Sequence, residues 1–167
     1  KKVRLKPSSS IVSDEYIDNI FNNYYGTTLN LTEFQDKIGI IKKAYEIAGY
    51  SLARIKSPER ISEDGIVTLT VSEGVVSDIK LRFVGSDGES FIDGKPRKGK
   101  TKDWVIKRQL KTKPGLIFNR LTLERDIQRL YSTSLFDDIK VSLGPDSSNP
   151  GQVIIFLDLS EQRTGSL

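Results

Sequence analysis

Three pairs of adjacent carboxylates are the side chains of this sequence best suited to acid–base or metal chemistry: Asp14-Glu15, Glu63-Asp64 and Asp137-Asp138. Adjacent acids on a strand or in a turn point in different directions, and none of the pairs has the ligand spacing of a metal-binding loop. The sequence has no histidine and no cysteine, which removes the commonest general base and every thiol nucleophile. We therefore expect caps and solvated turns here, with no catalytic residue, no metal site, no cofactor and no enzymatic activity.

Closely spaced glycines are the second feature that could do chemistry, by cradling a phosphate. Gly85-Ser-Asp-Gly88 follows a predicted strand, and Gly94 and Gly99 come shortly after it. Their spacing matches neither the dinucleotide fingerprint nor the P-loop. These glycines therefore predict a flexible loop and no nucleotide site.

Positive charge is concentrated between residues 95 and 113, where Asp103 is the only acid. Nucleic-acid surfaces usually interleave several aromatic residues for stacking, but here Trp104 stands alone and its position predicts burial in the core. Nucleic acid is therefore not an expected partner. A solvated surface, an anionic lipid surface and an acidic polypeptide remain open as interpretations. The candidate membrane or partner patch consists of Lys95, Arg97, Lys98, Lys100, Lys102, Lys107 and Arg108.

An internal repeat organises the elements that carry these residues. Gly26 and Gly115 are 89 positions apart, and so are Phe34 and Leu123 in the apolar stripes that follow. A shared offset of this kind indicates two copies of one small module, and tandem modules are typical of binding proteins. The copies are expected at residues 1–74 and 75–162. The second copy carries a basic insertion at 85–101, and residues 163–167 begin a linker.

Periodicity predicts the order strand, helix, helix, strand, strand in each copy. Ser13 is expected to cap the first helix of the first copy, and Gly49 to end the second helix. Asn30 and Asn119 precede helices and are expected to be caps or turn residues. Tyr50 and Phe136 are expected to be core anchors. The connection at Glu73, Gly74 and Val75 is the expected interdomain hinge, because glycine allows conformational freedom there.

The fold class that follows is α+β, with a three-stranded sheet packed on an antiparallel helix pair in each copy. The edge strands are expected at Leu52–Lys56 and Asp138–Leu143, where unpaired backbone groups could accept a partner strand. Proline at Ile139 or Lys140 is expected to block such pairing with little effect on the fold. The candidate edge residues are Arg54, Ile55, Lys56, Ile139, Lys140 and Val141.

The second copy resembles a polypeptide-transport-associated (POTRA) domain in the segments Lys113-Pro-Gly-Leu-Ile-Phe-Asn119 and Leu157-Asp-Leu159-Ser-Glu161. The first copy is similar to it, and the stretch Gly99–Arg108 resembles the cyanobacterial and chloroplast branch of the outer membrane protein 85 superfamily. The resemblance places the chain as the last two such domains before a barrel. Ser134 departs from it, since the family often has glycine there. The chain also lacks methionine, which predicts a fragment of a longer protein.

The resemblance implies a receptor function at the periplasmic face of the outer membrane or at the chloroplast outer envelope. Expected partners are unfolded outer-membrane or translocated precursor polypeptides and the protein's own C-terminal β-barrel, to which it would be attached. Clients would bind by pairing with the edge strands and pass to the barrel. The alternatives are the POTRA pair of a two-partner secretion transporter, and a structural docking scaffold for accessory proteins.

Overall fold

The computed structural model describes residues 2–6, 11–28, 30–56 and 61–163. The chain divides into two compact units, Lys1–Gly74 and Val75–Leu167. Most of the predicted linker at 163–167 lies outside the described residues, as do residues 57–60 of the first copy. No helix in the described ranges is long and apolar enough to cross a bilayer.

The first unit is a three-stranded sheet covered on one face by two helices. The sheet order is β1-β3-β2, with β1 parallel and β2 antiparallel to the central strand. Val67, Leu69 and Val71 alternate toward the helices and are buried with Ile41 and Tyr45 of the second helix. The elements are β1 Lys2–Lys6, α1 Asp14–Phe21, a short 3-10 turn Asn22–Tyr24, α2 Leu31–Ile47, β2 Arg54–Lys56 and β3 Ile66–Ser72.

Capping residues define the helices of this unit as predicted. The Ser13 hydroxyl accepts the Tyr16 N–H at the start of α1. Asn30 accepts two N–H groups at the start of α2, satisfying donors that have no partner within the helix. Gly49 follows α2 with a φ of 97°, a left-handed conformation that glycine adopts without steric cost.

The second unit repeats the same sheet with longer strands. Its order is β4-β8-β7, with β4 parallel and β7 antiparallel to the central strand. Ile155, Leu157 and Leu159 of the central strand are buried. The α+β class with three-stranded sheets and helices is thus confirmed. The elements are β4 Val75–Phe83, β5 Phe91–Ile92, β6 Lys95–Pro96, α3 Asp103–Lys107, α4 Arg120–Ser132, β7 Phe136–Pro145 and β8 Gln152–Glu161.

The inserted segment 85–101 has more structure than the flexible loop predicted from its glycines. β5 and β6 form a small hairpin closed by Asp93 and Gly94, both with positive φ. An Asp-Gly pair with this conformation makes the tight turn that matches the natural twist of a hairpin. Gly94 therefore closes a hairpin turn, which the comparison of glycine spacing with phosphate-binding loops does not predict.

Trp104 corrects the prediction of a core tryptophan. Its side chain is 63% exposed, while its neighbour Ile106 is buried. The helix α3 is a short element, Asp103–Lys107, so one face of barely more than one turn is covered and Trp104 lies on the other. Phe136 is buried as expected, whereas Tyr50 is only half-buried against the core.

Candidate functional site: the sheet edges and the basic insertion

The outer edge of β1 is occupied by side chains of its own unit. The N–H of Val3 donates to Tyr25 Oη at 3.2 Å, and Arg4 Nη1 donates to the carbonyl of Val3 at 2.7 Å. Asp18 ties the two side chains together, accepting from Arg4 at 2.8 Å and from Tyr25 Oη at 2.6 Å. Both outward backbone groups of Val3 are therefore engaged, which hinders the pairing of a new strand at this position.

This network shifts the titration of its members. The hydrogen bond from Arg4, followed by that from Tyr25, lowers the pKa of Asp18 below its ordinary value. Burial, with the hydrogen bond to Asp18, raises the pKa of Tyr25. These shifts favour the ionised form of Asp18 and the protonated form of Tyr25, and those forms make the hydrogen bonds that cover the edge of β1.

The strand β2 is the opposite edge of the first sheet, and it is short. Arg54, Ile55 and Lys56 pair with the end of β3, with the two basic residues exposed and Ile55 half-buried. Further along, Ile61 forms an isolated antiparallel bridge to Val67 on β3. The predicted edge residues of the first unit therefore form a real but limited edge.

The strand β7 is a longer edge. Two contacts show which of its backbone groups point toward β8 and which point outward. The N–H of Ile139 donates to Tyr131 Oη at 2.9 Å, and the carbonyl of Leu159 accepts from Val84 at 2.8 Å. Ile139 and Leu159 face each other in the register, so this pair points its backbone groups away from one another. In an antiparallel ladder such pairs alternate with hydrogen-bonded pairs.

The open part of β7 follows from this alternation. Lys140 and Ser142 direct their backbone groups toward β8, whereas Val141 and Leu143 direct theirs outward. Pro145, which has no N–H, occupies an outward position and so costs no ladder bond. Since Tyr131 occupies the N–H of Ile139, the open edge begins at Val141 and runs to Leu143.

Two apolar side chains accompany this open backbone. Val141 and Leu143 stand opposite the buried Leu157 and Ile155, and therefore lie on the helix-facing side of the sheet. They remain 40% and 41% exposed, because the helices cover this part of the sheet incompletely. An added strand would therefore find free backbone groups and an apolar strip together.

The outer edge of β4 is covered where the strand begins. The N–H of Val76 donates to the Leu116 carbonyl at 2.8 Å, and Gly115 returns a bond of the same length to the Val76 carbonyl. Further along, Ile79 N–H donates to the Asp78 carboxylate at 2.8 Å. These contacts cover the edge of β4 at Val76 and Ile79, in the first half of the strand.

The basic insertion is held in place by two anchors. Arg97 donates to the Glu89 carbonyl at 3.1 Å and lies 3.5 Å from the Asp87 carboxylate. At the other end, Glu161 accepts the N–H of Lys100 at 2.7 Å and the N–H of Thr101 at 2.9 Å. Arg97 is thus part of the framework of the insertion, while the other six predicted patch residues are exposed.

Asp126 is a structural residue that reasoning from the sequence missed. It is fully buried on α4 and accepts the N–H of Lys111 and the N–H of Thr112, both at 2.9 Å. The Thr112 hydroxyl also donates to it at 2.6 Å, and Arg129 forms an ion pair with it. The available signal was the position of Asp126 three residues after Leu123, on the apolar stripe of the helix.

The paired carboxylates and the predicted hinge have local structural contacts. Asp14 lies in the first turn of α1, 3.7 Å from Arg4, and Asp138 lies near Tyr131 Oη. Within the described ranges, no three metal-ligating side chains gather in one place. Gly74 has a φ of 82°, and Glu73 accepts from Tyr45 Oη at 3.2 Å. Motion at this connection stays a prediction.

Both units match family models. The POTRA domain of ShlB type matches residues 1–74, and the POTRA model described as surface antigen variable number repeat matches residues 91–162. POTRA1-3 of the periplasmic domain of Omp85 from Anabaena is 36% identical with a TM-score of 0.85, covering 98% of this chain and 65% of that one. The N-terminal domain of Omp85 from Thermosynechococcus elongatus is 35% identical with a TM-score of 0.82, covering 98% and 66%.

A curated plant protein is also similar over nearly the whole chain. Outer envelope protein 80, chloroplastic, of Arabidopsis thaliana is 27% identical over 95% of this chain and 20% of its own length. The chain therefore spans about a fifth of that relative and about two thirds of the solved cyanobacterial chains. The resemblance to the cyanobacterial and chloroplast branch is confirmed.

Proposed function

The chain belongs to the POTRA family and carries two such domains in tandem, and we propose that it is the client-receiving part of an outer-membrane protein assembly or translocation channel. It would lie at the periplasmic face of the outer membrane or at the chloroplast outer envelope, joined to a C-terminal barrel. It would have no enzymatic activity of its own. Unfolded precursor polypeptides would bind it and pass to the barrel.

The observation that carries this proposal is the open edge of β7 between Val141 and Leu143. An extended polypeptide that adds to such an edge is held by backbone hydrogen bonds, which tolerate many sequences. Each bond contributes only about 0.5–1.5 kcal/mol net, so a few bonds give weak and reversible binding. The exposed apolar strip adds a preference for strands that alternate apolar and polar side chains, as barrel strands do. Arg54, Ile55 and Lys56 offer a shorter second edge of the same kind.

The best test is proline at Val141. Its N–H points outward, so Val141→Pro keeps the ladder to β8 and blocks the incoming strand, as the natural Pro145 does further along. Val141 is therefore a better position for proline than Ile139 or Lys140, the positions expected from the sequence. Lys140→Pro would remove a bond to β8 and disturb the fold, and at Ile139 the N–H is already bound by Tyr131. Val141→Thr, which keeps the N–H and the branched shape, is the matched control.

Binding is measured by fluorescence anisotropy with a labelled peptide of alternating sequence from an outer-membrane β-strand. We expect Val141→Pro to weaken binding about tenfold, since it removes the outward N–H and its ring keeps the incoming strand from the carbonyl of the same residue. Val141→Thr is expected to bind as the parent chain does, and a peptide N-methylated at alternate positions should not bind. If Val141→Pro stays folded by circular dichroism and binds normally, β7 is not the client edge. Photo-crosslinkers at Lys56 and Lys140 in the intact protein would then report which edge clients touch.

A two-partner secretion transporter is the second candidate, because the first unit matches a model of ShlB type. That function predicts tight binding of one dedicated secreted substrate and no binding of other unfolded precursors. A panel of unrelated outer-membrane strand peptides distinguishes the two functions. Comparable weak binding across the panel supports assembly, whereas rejection of all of them favours dedicated secretion.

A further inference from the structure

The second unit exposes large apolar side chains on the inserted hairpin and on α3. Trp104 is 63% exposed, and Phe91 and Ile92 on the inserted hairpin are 57% and 50% exposed. Phe91 and Ile92 pair with Pro96 and Lys95 across that hairpin. Large exposed apolar groups are costly in water, and a concentration of them marks an interaction surface.

Exposed cations occupy the same parts of the chain as these apolar groups. Lys95, Lys98 and Lys100 are exposed, and within the described part of the chain no carboxylate lies in ion-pair distance of them. Lys102, Lys107 and Arg108 are exposed in the same way around α3. The guanidinium of Arg108 lies 5.1 Å from the centre of the Trp104 ring, so a positive charge stands directly beside the exposed indole.

An open groove joins the insertion to this tryptophan. Phe83 of β4, Arg97, Lys98, Gly99 and Trp104 all line this groove. The Phe83 ring packs so closely on Gly99 that a Cβ there would lie 2.1 Å from the ring. The basic loop and the tryptophan are therefore continuous on one surface.

We propose that this surface, made of Lys95, Lys98, Lys100, Lys102, Trp104 and Arg108, binds an anionic lipid bilayer. Tryptophan is enriched at membrane interfaces, where its ring enters the headgroup region while its N–H stays hydrated. Lysine side chains beside it reach the phosphates and other anionic headgroup atoms. Charge complementarity favours a bilayer because the cations are spread over a loop and a helix. The exposed aromatics Phe91 and Trp104 lie on two separate elements, β5 and α3, and do not follow one another as stacking platforms for successive bases would.

The anchors described above favour this contact. Glu161 and Arg97 hold the insertion at both ends, so little conformational freedom is lost when it meets a surface. The contact would hold the second unit against the membrane, next to the barrel that the proposed function places there. This membrane contact does not depend on client binding and is a function additional to the proposed one.

Trp104 provides the assay, because it is the only tryptophan of the chain. Its fluorescence is recorded while the 167-residue chain is titrated with vesicles of phosphatidylglycerol and phosphatidylcholine, and with phosphatidylcholine alone. A blue shift on anionic vesicles only is expected, and raised salt should reverse it because exposed charges are screened within about 3 Å at 1 M. Vesicle cosedimentation gives the partition constant independently.

Two sets of variants locate the contact. Each lysine near an anionic surface strengthens binding roughly fivefold. Replacing Lys95, Lys98, Lys100 and Lys102 by glutamine is thus expected to weaken the partition constant roughly a hundredfold or more. The control replaces four exposed lysines outside the patch, Lys6, Lys42, Lys43 and Lys80, by glutamine and removes the same charge. Trp104→Ala should weaken cosedimentation while leaving the fold intact, since the side chain is exposed.

The outcomes are separate. A blue shift that the patch variant loses and the control variant keeps supports the proposal. Equal loss in both variants shows that only net charge acts and overturns it. Absence of binding to anionic vesicles also overturns it, as does binding with an unchanged tryptophan spectrum. Val141→Pro should leave vesicle binding unchanged, so failure of this proposal and failure of the client-edge proposal are distinguishable.

Discussion

Asp126 is the residue whose removal we expect to destabilise the second unit most. Asp126→Asn keeps the shape of the side chain but turns one acceptor oxygen into a donor that faces other donors. The Thr112 N–H, the Thr112 hydroxyl and Arg129 lose part or all of their partner. Hydrogen bonds to a charged group contribute about 1.5–3 kcal/mol each, and a buried donor left without its acceptor costs about 1–3 kcal/mol. Since the amide keeps one carbonyl for a backbone N–H, we expect about 3 kcal/mol.

The assay follows from the separation of the two units. Loss of about 3 kcal/mol lowers the melting temperature of a unit of this size by more than about 10 °C. Trp104 lies in the second unit, so its fluorescence follows that unit during urea or thermal unfolding, while circular dichroism follows both. Asp137→Asn, an exposed acid-to-amide change in the same unit, is the control and should stay within about 0.5 kcal/mol of the parent. If Asp126→Asn unfolds together with this control, the buried carboxylate does not hold the segment after α3.

Two further predictions test local structure. Ser134 follows α4 with a φ of 60°, and it occupies the position that Gly49 holds after α2. Ser134→Gly should therefore stabilise the second unit by about 0.5–1 kcal/mol. Gly49→Ser should destabilise the first unit by about 1–2 kcal/mol. Chemical denaturation of each variant measures both, and stabilisation absent from Ser134→Gly would contradict the left-handed conformation. Because the pKa of Asp18 is lower in the folded unit than in the unfolded chain, its contribution is complete above about pH 4 and disappears as the pH falls through that lowered pKa. Melting temperatures of the parent and Asp18→Asn should therefore converge as the pH falls through that lowered pKa, and a gap that stays constant with pH would refute this.

The fold could be predicted because its determinants are local and occur twice. Asn30 and Asn119 both accept two N–H groups at helix starts, and the apolar stripes behind them are buried at Phe34 and Leu123. Capping and helical periodicity are properties of a few neighbouring residues, so they can be recognised without tertiary contacts. A repeat makes each such signal independent evidence for the same element.

The details of the surfaces and the buried contacts of Asp126 could not be predicted, because they depend on partners distant in sequence. The repeat offset places Lys37 opposite Asp126, so the buried carboxylate has no counterpart in the first copy. The sequence predicts Trp104 in the core. Its exposure follows from the short length of α3, which residue types alone do not reveal. Likewise, residue type alone does not tell that Val141 points its N–H outward while Lys140 points inward. That depends on the register with β8 and on one tyrosine hydroxyl.

The paired glutamates at the ends of the two central strands show how the copies came to differ. Glu73 accepts a hydrogen bond from the hydroxyl of Tyr45 on α2. Glu161 instead accepts hydrogen bonds from the insertion, from the N–H of Lys100 and the hydroxyl of Thr101. In both copies the carboxylate lies at the end of the central strand and accepts hydrogen bonds from donors outside the sheet. In the first copy those donors come from the core, and in the second they come from the basic segment. The same position therefore closes the first unit and, in the second, fixes the cationic surface to the strand that leads out of the domain.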